Sequence, residues 1–176
     1  MENLWLLILP LGWILTVSGA RQLQVVNVHH CSHGTFSKNK KVNQSLGTII
    51  SALLILKNFS TYQQGHVGNH HTNRLMTPED ETFAFLINML GLQPGMTREQ
   101  LWRKLIISLF SPIFHARFLA ARIQSSLFST SLVQNLLSWL FLAITFVLVT
   151  LTHWWLLFCL VWVFPLIILY QVSNTI

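Results

Sequence analysis

The sequence predicts an all-α membrane protein that crosses the bilayer several times. Of its 176 residues, 52% are hydrophobic and 9% are charged, whereas a soluble domain carries about 25% charged residues. No Asp, Glu, Lys or Arg follows Arg122. Because these charges cannot cover a water-soluble globule, lipid must cover part of the surface. A disordered chain is excluded, since it would be poor in aromatic residues and rich in charge.

The first predicted element is an N-terminal span near residues 4–28. Leu4 to Gly19 is apolar, and continuation through Val28 gives the roughly 20 residues that a crossing needs. A cleaved signal peptide is the competing interpretation, because small residues occupy positions 18–20. We favour the span, because a signal peptide begins with a basic segment and the only charge before Arg21 is acidic.

The middle of the chain, residues 29–130, contains shorter apolar segments. The segment 46–56 is too short to cross, which indicates a re-entrant or surface-lying helix. Thr97 and Gln100 form a capping-box pattern that begins a helix over 97–110, with apolar residues at helical spacing beside basic ones. That composition is typical of a helix in the membrane interface, with core packing as the alternative. A second such helix is predicted over 113–128.

The C-terminal third predicts a transmembrane hairpin. Its apolar stretch is about twice as long as one crossing requires, and a polar spot at 150–153 divides it. We therefore predict one span near 131–150 and another near 154–171. The chain 1–176 is then one membrane domain. Its two cysteines, Cys31 and Cys159, are too far apart in sequence to suggest a disulfide framework.

The basic residues predict the orientation in the membrane. All 11 Lys and Arg residues lie between Arg21 and Arg122, and the short segments at the other face have none. By the positive-inside rule, the region 29–130 faces the cytoplasm. We therefore interpret the net charge of +6 as a feature that sets the orientation of the chain in the membrane. Binding to nucleic acid is disfavoured, because the basic residues flank spans rather than forming one patch with exposed aromatic residues.

Histidines form two tight clusters in this cytoplasmic region. His29 and His33 are four residues apart and would share one face of a helix, as would His66 and His70. His71 is offset by about 100° on a helix and is a candidate ligand for a second metal. Neutral imidazole is the commonest metal ligand among side chains. The two clusters therefore predict a metal site rather than surface histidines near lipid headgroups.

The number and chemical type of the candidate ligands indicate which metal would bind. Five imidazoles are too many for one tetrahedral zinc site. Cys31 is a possible thiolate ligand, although it lies between the two histidines of its cluster and need not point with them. An all-nitrogen site at a membrane surface suggests iron and dioxygen chemistry, with an apolar cavity for a long substrate. His115 and His153 stand alone on apolar stretches and are interpreted as packing or interface residues.

These motifs resemble the histidine boxes of the membrane fatty acid desaturase family, whose relatives include alkyl hydroxylases and carotenoid oxygenating enzymes. The stretch that resembles the first box and its trailing loop reads HHCSHGTFSKNKKVNQSLG from His29. The stretch that resembles the second box runs from Gly65 to Asn73, and Met76-Thr77-Pro78-Glu79-Asp80 follows it. A short apolar segment separates the two boxes, as it does in the family.

The resemblance implies a di-iron centre held by imidazoles, with dioxygen as co-substrate. Its implied metal ligands are His29, His33, His66, His70 and His71. His30 occupies the variable place inside the first box and is the weaker candidate. The implied reaction removes hydrogens from a lipid acyl chain with two electrons from a ferredoxin-like or haem donor. No separate catalytic residue is implied beyond the metal ligands.

One part of the family pattern is missing from these 176 residues. Family members carry a third box, with a His-His pair, beyond the last membrane pair, whereas no histidine follows His153 here. We therefore expect a truncated or split desaturase in which a second chain supplies the remaining ligands. The alternatives are a related hydroxylase or carotenoid oxygenase, a non-catalytic membrane protein with a structural or sensory metal or haem site, and a remnant without metal.

Overall fold

The structure is a computed structural model that describes residues 4–72 and 75–175, with side chains described for 7–72 and 75–172. The described residues form helices and connecting turns without a strand, which confirms the all-α prediction. The α-helices are α1 (Leu4–Arg21), α2 (His29–Ser32), α3 (Lys40–Leu53), α4 (Phe59–Gly65), α5 (Glu81–Ala84), α6 (Arg98–Leu109), α7 (Pro112–Leu127), α8 (Leu132–Thr152) and α9 (Trp155–Val172). The π-helical segments are Gln22–Val28, His66–His70, Phe85–Met89 and, within α9, Cys159–Val163 and Pro165–Leu169.

Helices α8 and α9 form the predicted hairpin, and both are long and apolar enough to cross a membrane. The 21 residues of α8 extend about 30 Å at about 1.5 Å per residue, which matches the hydrocarbon core. His153 ends α8 in the left-handed conformation, with a φ of 57°. Its N–H donates to the Thr150 carbonyl at 3.3 Å, and the next N–H donates to the Val149 carbonyl. These bonds satisfy the last carbonyls of the helix and reverse the chain.

Helix α1 lies where the N-terminal span is predicted and continues through the π-helical segment Gln22–Val28 into α2. Its side chains Leu7, Ile8 and Leu15 are more than half exposed. Exposed apolar residues of this size suit contact with lipid rather than water. The crossing of the bilayer by α1 itself stays a prediction.

The contact between α1 and α9 depends on a proline. Pro165 has no N–H, so one carbonyl of the preceding turn lacks its helical donor: that of Val161 in α-helical pairing, or that of Leu160 in π-helical pairing. Trp13 Nε1 donates to the Leu160 carbonyl at 2.7 Å, and Thr16 Oγ1 donates to the Val161 carbonyl at 2.9 Å. Neighbouring side chains satisfy freed carbonyls in this way because lipid offers no donor.

Thr16→Val is expected to destabilise the protein by about 1–3 kcal/mol, since it removes the side-chain donor to the Val161 carbonyl, in the turn that Pro165 leaves short of one N–H. The same change should cost much less in a Pro165→Ala background, because the restored N–H can reach the carbonyls of the preceding turn. Thermal unfolding of the four variants in detergent measures this coupling. Equal costs in both backgrounds would show that Thr16 does not act through the proline.

Helix α3 is buried against α8 rather than lying on the membrane surface alone. Its glycine Gly47 faces the ring of Phe59, which is 1% exposed, and a Cβ at Gly47 would overlap that ring. Ser138 of α8 donates to the Ala52 carbonyl at 3.3 Å, which satisfies a carbonyl near the end of α3. The predicted apolar segment 46–56 therefore comprises the second half of this 14-residue helix, one face of which is packed, and the three residues that follow it.

Helices α6 and α7 are the two helices predicted after Pro94-Gly95, and they meet at an angle of 69°. Both hydrogen bonds of the predicted capping box are present: the Thr97 side chain accepts from the Gln100 N–H, and the Gln100 side chain accepts from the Thr97 N–H. His115 Nε2 lies 2.7 Å from the Leu109 carbonyl, so this nitrogen donates to the end of α6 across the corner. His115 is thus a packing residue, in agreement with its interpretation from sequence.

Candidate metal centre

The first histidine cluster sits at the end of the long N-terminal helix. The π-helical segment Gln22–Val28 leads into α2, where His29 and His33 are one turn apart with ring centroids separated by 4.6 Å. Gly34 then ends the helix with a φ of 70°, a conformation that glycine adopts without steric cost. This geometry agrees with the predicted sharing of one helix face.

The second cluster differs from the predicted spacing because its backbone is π-helical. His71 N–H donates to the His66 carbonyl, a bond between residues i+5 and i, at 3.0 Å. This wider turn brings His71 Nε2 to 3.1 Å from His66 Nε2. His70 instead turns towards Asp80. The rings of His66 and His70 still stack, with centroids 5.7 Å apart, and the π-helical turn brings His71 beside His66 as well, with centroids 4.4 Å apart.

Ring nitrogens of the two clusters converge. His66 Nε2 lies 3.0 Å from His29 Nδ1, and His29, His33 and His66 can each place one ligand atom within 4.8 Å of the others. Metal–nitrogen bonds of about 2.0–2.1 Å place two ligand nitrogens on one ion about 2.9–3.4 Å apart. His33 Nε2 is buried and has no hydrogen-bond partner among the described residues. These observations fit a bound cation.

The protonation states also suit a metal. Burial, followed by the neighbouring histidines His29, His71, His33 and His70, lowers the pKa of His66 to about 4. Burial first, and then nearby imidazoles, also lower the pKa of His29 and of His33 below the usual value. These rings are therefore neutral near pH 7. A neutral imidazole offers a nitrogen lone pair to a metal ion.

Asp80 orients His70 and is a residue whose role the sequence did not reveal. Its side chain is fully buried and accepts hydrogen bonds from the Met76 and Thr82 backbone N–H groups, both at 2.9 Å. Burial acts to raise the pKa of Asp80, but these bonds and His70 outweigh it, so the net pKa is lowered. The carboxylate faces His70 Nδ1 at 3.1 Å, so Nδ1 carries the hydrogen and Nε2 is left for a metal.

Side chains outside the two clusters fix the positions of the clusters relative to each other. Gln63 Nε2 donates to the Ser32 carbonyl at 2.8 Å and so joins α4 to α2. Tyr62 stacks on His66 with centroids 5.0 Å apart and planes 10° apart. Gln134 Oε1 of α8 accepts from the Phe59 N–H at 2.9 Å, which ties the start of α4 to a membrane helix. Sequence patterns do not show such contacts, because the partners are far apart along the chain.

Two candidate residues lie outside the cluster. His30 is exposed, and its Nδ1 lies 2.9 Å from Thr35 Oγ1. Cys31 is 1% exposed and packs in the core with Val28 and Ile50. Burial raises the pKa of the Cys31 thiol, so it stays protonated at neutral pH. The possibility of a Cys31 thiolate ligand is therefore not supported.

A family model described as fatty acid desaturase matches residues 3–176, nearly the whole chain. The chain belongs to the fatty acid desaturase family. No curated protein and no solved structure shows significant similarity to it. Membership in the family, together with the two apolar helices α8 and α9, supports a desaturase-like protein associated with the membrane.

Proposed function

We propose that this protein is a membrane-bound acyl-lipid desaturase whose histidine boxes hold a di-iron centre. The convergence of ring nitrogens from both boxes, with His66 Nε2 about 3 Å from His29 and from His71, carries the proposal. The family match covers the same residues. A bound di-iron centre would supply the dioxygen chemistry that removes two hydrogens from unactivated acyl carbons.

The residues divide between two metal positions. His29, His33 and His66 would hold one ion, because their ligand atoms share one small volume. His70, with Nε2 left unbonded by Asp80, and His71 would contribute to the second. His30 is left out of this set, because among the described residues its ring contacts His29 but no histidine of the second cluster. Tyr62, Gln63 and Asp80 hold these rings in place.

Five imidazoles do not complete two iron sites, so we propose that further ligands come from residues outside these 176, on the same or a second chain. The described cluster is open on one side, where His71 is exposed. Iron analysis of the assembled complex tests this point. Two irons per complex with a partner segment present, and fewer without it, are expected. Two tightly bound irons on this chain alone would contradict it.

We also propose that the histidine boxes face the cytoplasm. The basic residues lie between the spans, and the α8–α9 turn carries none. A cysteine placed at the exposed Asn39 should react with an impermeant maleimide applied from the cytoplasmic side. A cysteine placed at Leu151, beside the α8–α9 turn, should react from the opposite side. The reverse pattern would overturn the orientation.

The test of the function combines metal and product analysis. Anaerobic loading with ferrous iron, followed by mass spectrometry of fatty acids from lipids treated with dioxygen and reductant, should reveal a new double bond. Tight binding of zinc or haem without iron would instead favour a structural or sensory site. Hydroxylated or carotenoid products would favour the related oxygenases. Substrate chain length and double-bond position follow from the same product analysis.

Asp80→Asn is expected to weaken metal binding about 10–100-fold, because loss of an outer carboxylate partner of a ligand histidine typically has this cost. The asparagine keeps the shape of the side chain, but its neutral oxygen is a weaker acceptor for the His70 Nδ1 hydrogen than the carboxylate is. Metal titration followed by calorimetry measures the change. Glu79→Gln, at a neighbouring residue outside the Asp80–His70 pair, is the matched control and should bind metal like the parent protein.

A further inference from the structure

Arg122 of α7 directs its guanidinium group at backbone carbonyls of two other helices. Nη2 donates to the Leu54 carbonyl at 2.6 Å, and Nε donates to the Ile55 carbonyl at 3.1 Å. Nη1 donates to the Leu166 carbonyl of α9 at 3.0 Å. Within the part of the chain that the structure describes, Arg122 forms no salt bridge. Because a charged donor makes stronger hydrogen bonds than a neutral one, Arg122 joins α7 firmly to the end of α3 and to α9.

Two of these carbonyls belong to the turn that ends α3. The Leu56 N–H donates to the Ser51 carbonyl at 2.8 Å. The Ile55 N–H donates to the Ala52 carbonyl at 3.2 Å, and the two bonds together form the Schellman pattern. Ile55 occupies the left-handed position of that pattern, with a φ of 51°. Glycine is the usual residue there, and a β-branched side chain is disfavoured, so this turn needs support from outside.

Helix α7 supplies that support at both ends of the connection between α3 and α4. The Schellman bonds leave the carbonyls of Leu54 and Ile55 available, and Arg122 donates to both. A cation is also favourable beside the negative end of a helix dipole. One turn further along α7, the Ser125 carbonyl accepts from the Asn58 N–H at 3.2 Å. The connection is therefore held at its start by Arg122 and at its end by Ser125.

This connection sets the direction in which α4 leaves α3. Asn58 caps α4 by accepting from the Thr61 N–H at 3.1 Å, and His66 directly follows the helix. The distance from Asn58 to His66 is about 12 Å along the axis, so a rotation of α4 by about 10° at its start would move His66 by about 2 Å. Metal–ligand distances tolerate changes of only about 0.2 Å. The geometry of the candidate metal centre is thus sensitive to the shape of the turn.

Anchoring of the chain at lipid headgroups does not account for the contacts of Arg122. Basic side chains near the ends of membrane helices usually extend the charged group towards water and headgroups. All three nitrogens of the Arg122 guanidinium instead donate to carbonyls of the protein. Its Cζ lies 5.9 Å from the Phe118 ring centroid and 5.5 Å from the Tyr170 ring centroid, so aromatic faces also stabilise the charge in this position.

We propose that Arg122 is a positioning residue of the candidate metal centre. Its hydrogen bonds hold Ile55 in the left-handed turn, and the turn aims α4 so that the His66 ring meets the first histidine cluster. The inference rests on the metal centre of the proposed function. Glycine at position 55 would adopt the same turn without help, so the effect of losing Arg122 should depend on the residue at that position. A role in packing alone would not produce this dependence.

The experiment is a double-mutant cycle of the parent protein, Arg122→Met, Ile55→Gly and Arg122→Met/Ile55→Gly. Arg122→Lys keeps the positive charge and part of the donor capacity. Arg117→Met, at an exposed position of the same helix, is the matched control. Each full chain in detergent is titrated with Co²⁺, and the visible spectrum of the bound cobalt is recorded. Thermal unfolding of the metal-free proteins tests the turn without any metal.

Arg122→Met should weaken Co²⁺ binding about tenfold or more and change the cobalt spectrum, with partial recovery in Arg122→Lys. In the Ile55→Gly background the loss should be about threefold or less, and Arg117→Met should bind Co²⁺ like the parent protein. Equal losses in the two backgrounds, or parental affinity and spectrum in Arg122→Met, overturn the positioning role. If Arg122→Met does not fold, Arg122→Lys in the two backgrounds provides the same comparison.

Thermal unfolding separates failure of this inference from failure of the proposed function. The drop in melting temperature caused by Arg122→Met should be larger in the parent than in the Ile55→Gly background, by about 2–4 °C or more. Additive changes in melting temperature would overturn the inference. Absence of Co²⁺ binding by the parent protein would refute the proposed metal centre, since nitrogen sites generally bind Co²⁺ more tightly than Fe²⁺. A retained coupling in melting temperature would then still support control of the turn by Arg122.

Discussion

His66→Ala is expected to weaken metal binding by more than about 100-fold, beyond the 10–100-fold cost of losing an outer partner of a ligand. His66 Nε2 lies 3.0 Å from His29 Nδ1, and His66 is the second-cluster residue in the group of ligand atoms that it forms with His29 and His33. Its removal would leave the first ion with only the two histidines of the first cluster. Metal content after gel filtration, measured by plasma mass spectrometry, checks the result.

Two histidine variants serve as controls for this result. His30→Ala and His153→Ala remove exposed imidazoles outside the cluster and should keep the metal content of the parent protein. Thermal unfolding of the metal-free proteins separates loss of ligand from loss of fold. Retention of metal by His66→Ala, or equal loss from all three variants, would refute the assignment of His66.

Gly47→Ala is expected to cost about 1–3 kcal/mol of stability, the typical penalty for overpacking a well-packed core. A Cβ at this position overlaps the buried ring of Phe59, and Phe59 begins the helix that leads to His66. The ring cannot retreat easily, because it is buried and Gln134 Oε1 accepts the Phe59 backbone N–H, which fixes the backbone that carries the ring. Thermal unfolding in detergent, together with metal affinity, measures the effect.

The matched control is Gly19→Ala, since nothing lies within 4 Å of a Cβ at Gly19. That variant should unfold at the temperature of the parent protein or above it. The double variant Gly47→Ala/Phe59→Leu should recover part of the lost stability, because the smaller side chain makes room for the methyl group. Failure of the smaller side chain to help would show that another contact limits Gly47.

Local signals in the sequence predicted several elements correctly. The Thr97 and Gln100 capping box begins α6, and the polar spot near His153 marks the turn between α8 and α9. These features depend on interactions between neighbouring residues, so a short stretch of sequence is enough to predict them. The π-helical turn at the second box was not predictable in this way. It adds His71 to the neighbours of His66, whereas the i, i+4 rule, which assumes an α-helix, indicates His70 alone.

The amino-acid sequence by itself determined that this protein is helical, belongs in a membrane and contains two histidine clusters, because composition and short-range spacing follow directly from the order of residues. Only the tertiary structure decided which ring nitrogens converge, that Cys31 faces the core, and that Asp80 holds His70. Those relations depend on helix packing between distant segments. A shift of one helical turn would separate the rings while leaving every sequence motif unchanged.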